Sequence, residues 1–211
     1  MNDLLPFLPG FIAAYAILFV AASSPGPAVA MLLGIATTSG RRSALVASAG
    51  IASGSVILNF GTLLGVGLLL TQAAWAMSVL RLVGAAYLLY LAWGAFRKAA
   101  APPPVVAASV ASASDAKYFL AGFLLQVTNP KAIVFWIAIA AVGATVGGGA
   151  LVILLFVLGA FAISFFCHGA WAIFLSSNPI RAGYMHARRW VDGALGTFFV
   201  FAAYKLATSR T

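Results

Sequence analysis

The sequence predicts an all-α membrane protein of six transmembrane helices, arranged as an inverted 3+3 repeat in which helices one and four are broken at proline. Three observations predict it. The 211 residues are 64% hydrophobic and only 7% charged, too few charges to cover the surface of a soluble domain. Six apolar runs follow one another, each long enough for the ~20 residues that cross a hydrocarbon core. The two longest runs, the first and the fourth, each carry a proline break near the midpoint: "SSPGP" from Ser23 and "TNPK" from Thr128.

The first run covers about 7–39. The preceding "MNDLLP" has no basic residue and includes Asp3, so the run is expected to be a retained span and not a cleaved leader. "GRR" at Gly40 separates it from run two, about 44–70, and a short turn near Gln72 leads to run three, about 76–97. Segment 98–116 is rich in Pro, Ala and Ser and reads as a flexible linker. Run four covers about 117–146, the glycines Gly147 to Gly149 follow, and run five covers about 149–176. "SSNPIRAGYMHARR" then separates run six, about 189–208. The chain is thus one transmembrane domain over 1–211, with repeat one at about 1–97 and repeat two at about 117–211. Three spans per half bring the halves in from opposite sides, which with two interrupted helices is the sign of an inverted repeat.

Arg41 and Arg42, then Arg97, Lys98 and Lys117, then Arg181, Arg188 and Arg189 fall in loops on one side. Lys and Arg favour the cytoplasmic side, so both termini are expected in the periplasm. Arg81, Lys205 and Arg210 lie on the minority side. The net charge of +9 comes in short clusters between apolar runs, which suits membrane loops and not nucleic acid. Cys167 is the one cysteine, so a disulfide, a CxxC redox pair and a cysteine metal cluster are excluded. Three acids in all are too few for a hard-cation site. No metal, cofactor or enzymatic activity is expected.

Proline lacks an N–H and clashes with the carbonyl four residues back. Pro25 and Pro27 should free the carbonyls of Ala21 and Ser23, and Pro130 that of Gln126. Such backbone is tolerated in a membrane only where it lines a protein-walled or watery cavity. Ser24–Pro25 and Asn129–Pro130 each read as N-cap followed by the first helical residue. A helix start at that depth offers N–H groups and a positive dipole end to a carboxylate, and the preceding helix end offers carbonyls to an ammonium. Lys131 adds a full charge where an ionisable residue is costly.

Ser48, Ser55, Asn59 and Thr62 share one face of span two, as interhelical glue or as the wall of a polar path. Gly50, Gly54, Gly61 and Gly65 form small-xxx-small pairs suited to close helix packing, within the chain or across a homodimer. In span five His168 lies four residues after Ser164 and either relays protons or packs. Asp192 either pairs with Arg188 or Arg189 or carries protons. Tyr87, Tyr90 and Trp93 read as an interfacial aromatic belt.

Taken together, "SSPGPAVAM", "GIASG", "LRLVGAAYLLYLAWGAFR", "GFLLQVTNPKAIVFW" and "RRWVDGALGTFFVFAAYKL" resemble the LysE/RhtB family of amino-acid exporters. The resemblance implies six spans in the bacterial inner membrane and export of amino acids driven by the proton-motive force. It also implies that Pro25, Gly26, Pro27, Asn129, Pro130 and Lys131 are signature positions. Members often carry an acid after the second glycine of the span-two motif, where this chain has Ser55, which favours a small neutral substrate over a basic one. The expected substrate-binding set is Ser24, Pro25, Gly26, Pro27, Ser55, Asn59, Gln126, Asn129, Pro130 and Lys131, with Asp192 and His168 as proton-coupling candidates. Transport is expected to proceed by rocking of one repeat against the other. An exporter of basic amino acids and a non-transporting membrane scaffold are the alternatives.

Overall fold

A computed structural model of the chain describes residues 2–72, 74–102 and 113–208. Among these residues all regular structure is helical. A short 3-10 turn, Asn2–Phe7, leads into α1 (Leu8–Ser23), followed by α2 (Pro27–Thr38), α3 (Gly40–Gln72) and α4 (Ala74–Ala100). After the linker come α5 (Asp115–Thr128), α6 (Pro130–Ala140), α7 (Ala150–Leu175) and α8 (Asn178–Thr208).

Length and hydropathy qualify three helical stretches as spans: Leu4–Ser23, Gly40–Gly65 and Ala150–Leu175. The pair α5 and α6, bent by 60° at its junction, makes a fourth if taken as one span. Large apolar side chains such as Ile12, Leu82 and Phe166 stand exposed on α1, α4 and α7, as a lipid-facing surface requires. The first run differs from its expected form. The stretch Leu4–Ser23 is long enough to cross by itself, and α2 is a separate apolar helix of 12 residues.

Two separators differ as well. "SSNPIRAGYMHARR" was expected as a loop, yet α8 starts at Asn178 and runs through it. Pro179 falls in the first turn, where its missing N–H costs nothing, and the residues after it include no second proline. The linker is shorter than the expected 98–116, because α4 continues to Ala100 and α5 begins at Asp115; residues 103–112 lie outside the described residues, as do residue 73 of the turn near Gln72 and the side chains of Asp3 and Arg81. At Gly40 the turn needs a positive φ of 83°, which glycine adopts without strain.

The closest backbone approach joins α3 to α5. A Cβ on Gly50 would lie 2.0 Å from the Phe119 carbonyl oxygen, and one on Gly122 would lie 2.1 Å from that of Ala47. Gly54 is less tight, a Cβ there lying 2.8 Å from the Gln126 side chain and 3.0 Å from the Phe123 carbonyl oxygen. The expected packing role therefore holds for Gly50 and Gly54. Gly61 and Gly65 have nothing within 4 Å. On the other side Gly159 of α7 accommodates the Tyr15 ring of α1, whose hydroxyl donates to the Phe156 carbonyl at 3.0 Å.

Two apolar clusters form the interior. One gathers Leu18, Leu88, Phe135, Trp136, Phe156 and Phe199, among others. The other surrounds α2 with Ala44, Ala47, Ile51, Tyr118 and Leu175. Because backbone cannot yield as a side-chain tip does, Gly50→Ala and Gly122→Ala should each destabilise the fold by ~1–3 kcal/mol or more. Thermal unfolding in detergent should show a clear drop for both, and no drop for Gly61→Ala.

Candidate functional site

The two interruptions differ in their chemistry. After α1, Ser24 takes an extended conformation (φ −77°, ψ 135°) and caps the helix end. Its N–H and its hydroxyl both turn back to the Ala21 carbonyl, at 3.4 and 2.8 Å. The N-cap of α2 is Gly26, with no side-chain cap. Ser24 is therefore not the N-cap expected from the sequence. Two prolines spaced by one residue push the helix start to the second, Pro27, and leave the serine on the preceding end. At the other break Asn129 is the N-cap expected, its Oδ1 accepting from the Lys131 N–H at 3.1 Å.

The carbonyls expected to be free are each taken up. Ala21 accepts from Ser24, Ser23 accepts from Trp171 Nε1 at 3.2 Å, and Gln126 accepts from the Asn129 N–H at 3.3 Å. The prolines remove helical donors, and neighbouring groups replace them.

Lys131 joins the two breaks. Its Nζ donates to the Ser24 carbonyl at 3.2 Å and to the Ser24 hydroxyl. A Cβ on Gly26 would stand 3.3 Å from Nζ, so the glycine leaves room for the lysine to pass. Among the described residues one ion pair forms within 4.0 Å, Arg42 with Asp115. Lys131 thus has no carboxylate within 4.0 Å; its charge leans on neutral oxygens and, more distantly, on the Phe135 ring 6.0 Å away and on Asp192 across the neighbouring cleft.

Below the lysine a polar chain crosses the bundle. Gln126 Nε2 donates to Ser55 Oγ at 2.9 Å, and Ser55 Oγ meets Ser164 Oγ at 3.1 Å. His168 Nδ1 donates to the Ser164 carbonyl at 2.8 Å. These residues, with Ser24, Gly26, Asn129 and Lys131, wall a cavity of about 40 Å³ closed off by Leu18, Phe135 and Trp136. That is room for a water or two. Of the sequence-predicted set, Ser24, Gly26, Pro27, Ser55, Gln126, Asn129, Lys131 and His168 line it, and Pro25 and Pro130 flank it.

Asn59 and Asp192 are placed differently. Asn59, expected in the substrate-binding set, does not line the cavity. It lies one turn beyond Ser55, is 1% exposed, and neither its amide nitrogen nor its oxygen has a partner among the described residues. For Asp192 the sequence left open pairing with Arg188 or Arg189 and proton carriage. No ion pair within 4.0 Å forms to it among the described residues; Arg188 donates to the Pro102 carbonyl at 3.0 Å and Arg189 to the Ala99 carbonyl at 3.1 Å. Their guanidinium groups tie α8 to the end of α4, and Asp192 faces a cleft of about 460 Å³ between those helices. Tyr90 and Trp93, read from the sequence as an interfacial belt, line the same cleft. Nothing in the order of residues points to this cleft, which arises where α4 and α8 meet the α1–α2 junction.

A buried amide without partners costs stability, whereas an apolar replacement of similar size does not. Asn59→Leu should leave the unfolding midpoint unchanged or higher. Gln126→Leu, which removes the donor to Ser55, should destabilise by ~1–2 kcal/mol; thermal unfolding in detergent measures both.

Residues 19–210 match the family profile of the LysE type translocators. The chain is 30% identical over 201 residues to the threonine efflux protein of Escherichia coli K12, covering 90% of this chain and 94% of that one. It is 29% identical over 199 residues to the threonine efflux protein of Salmonella typhi, with the same coverage. It is 31% identical over 196 residues to the leucine efflux protein of Klebsiella pneumoniae, covering 89% of each. No solved structure matches it. With this profile matched over residues 19–210 and this likeness along nearly its whole length, the chain belongs to the LysE family of translocators.

Proposed function

We propose that the protein exports small neutral amino acids across the bacterial inner membrane, as a secondary transporter of six spans in an inverted 3+3 repeat. The observation that carries the reading is Lys131: a cation at the junction of two interrupted helices, without a carboxylate partner. Breaking a charge pair in a low-dielectric site is costly, so a lysine left without an acid there suits a ligand that brings its own anion. The first turns of α2 and α6 add their dipoles to the same place, with Ala28 and Ala132 in the cavity wall. An amino acid's carboxylate would dock on them, with Lys131 turning from Ser24 to meet it. The cavity would widen as the substrate enters, because 40 Å³ holds only water.

The repeat has support in residue register. Gly50 and Ser55 of α3 stand five apart, as Gly159 and Ser164 of α7 do. The two serines meet each other, as equivalent positions do where a two-fold axis passes. His168 then corresponds to Asn59, each four residues beyond its serine. The relatives are named for threonine and leucine efflux, both neutral substrates, and Ser55 stands where a cationic substrate would want an acid. Drive by the proton-motive force, His168 as a proton relay, and both termini in the periplasm complete the reading.

Lys131→Ala, at normal membrane abundance, should reduce efflux of the exported amino acid from loaded cells at least tenfold. Undiminished efflux would remove the anion site. Counterflow in liposomes with a labelled panel of twenty amino acids tests the exporter reading itself, since a scaffold would move none.

A further inference from the structure

We propose that the cleft between α4 and α8 is a loading site for a zwitterionic amino acid, with the Asp192 carboxylate receiving the ammonium group and Lys131 facing the substrate carboxylate at the inner end. The inference rests on the exporter reading and adds where the substrate is first held and what selects it.

Size separates the two cavities. The inner one, about 40 Å³, has no room for an amino acid. The cleft, about 460 Å³, falls within the ~300–1,000 Å³ of small-molecule sites. The two share Ser24 and Lys131 in their walls, so the Lys131–Ser24 contact is the partition between them. A molecule in the cleft lies one side-chain movement away from the polar chain of Ser55, Gln126 and Ser164.

Charge defines the ligand. Asp192 is 7% exposed, yet its carboxylate makes no hydrogen bond or ion pair among the described residues. A carboxylate so buried costs free energy unless a cation or donors meet it. The backbone carbonyls of Ala21, Ser23 and Gln126 already accept hydrogen bonds and are neutral, so the carboxylate of Asp192 is the stronger acceptor for an ammonium group in the cleft. Lys131 lies at the inner end, and Arg97 and Lys98 line the wall, with Arg97 held over the Trp93 ring at 4.9 Å. One acid among three cations repels a molecule of net positive charge. A 2-hydroxy acid would leave Asp192 unmet, and an amino-acid amide would leave Lys131 unmet. A molecule with both signs satisfies the two.

The test uses the full chain in liposomes, with counterflow of labelled L-leucine and L-threonine competed by leucic acid and leucinamide. Asp192→Asn keeps the shape of the side chain and should raise the half-saturating concentration of the amino acid at least tenfold. The wild type should be inhibited by amino acids and at least tenfold less by either analogue. Gly94→Trp provides a second variant, because Gly94 lines the cleft and a Cβ there meets open space; it should fold normally and lose counterflow. An unchanged half-saturation in Asp192→Asn with wild-type counterflow intact overturns the loading site alone. So does an unchanged half-saturation with loss of the response to a pH gradient, which would make Asp192 a proton carrier. A wild type that moves none of the twenty amino acids overturns the exporter reading instead.

Discussion

A peptide group inside an apolar phase must find a partner within the protein, and the rest of this structure follows from how the helix ends at Ser24 and Asn129 meet that demand. Each proline removes a helical donor, and the loss recurs at mid-chain in both halves. At the first break Ser24 and the indole of Trp171 supply the missing hydrogen bonds, the latter from α7. At the second the Asn129 backbone and side chain do so. Most of these replacements are local, within three residues of the defect, and the one from a distant helix is the Trp171 indole of α7, so the first break depends on α1 and α7 having come together. What remains unmatched is the charge of Lys131, reaching across from one break to the other.

Polar groups elsewhere in the interior form two populations. Gln126, Ser55, Ser164 and His168 satisfy one another in a continuous chain. Asn59 and Asp192 do not, although both are buried. The first population is structural glue as well as a cavity wall. The second marks positions where the fold tolerates an unmet group, one inside the packed bundle and one at the edge of a cleft.

Much of this was legible in the sequence. Proline positions mark where α1 and α5 end, because the missing N–H acts locally. Asn129 announced its cap for the same reason, and the glycine spacing of α3 announced close packing at Gly50 and Gly54 without naming the partner helix. What the chain order hides is which neighbour answers a local defect. The carbonyl of Ser23 was expected to be free, and its donor comes from Trp171, 148 positions away. A pairing of Asp192 with Arg188 or Arg189 was one of two expectations, yet both arginines donate to carbonyls at the end of α4 and just beyond it. Ser24 misled for a different reason: two prolines compete for the same helix start, and only the backbone decides which one opens it.

The glycine contacts carry a mechanical consequence. Gly50 and Gly122 press α3 onto α5, backbone on backbone, while Gly159 seats the Tyr15 ring and so couples α7 to α1. Gly196 of α8 lies against the Phe96 ring of α4 in the same manner. Every one of these clamps grips one helix from each half of the chain. A shift of either partner at one of these contacts is therefore transmitted at once to a helix from the other end of the chain, backbone to backbone at Gly50 and Gly122 and ring to backbone at Gly159 and Gly196.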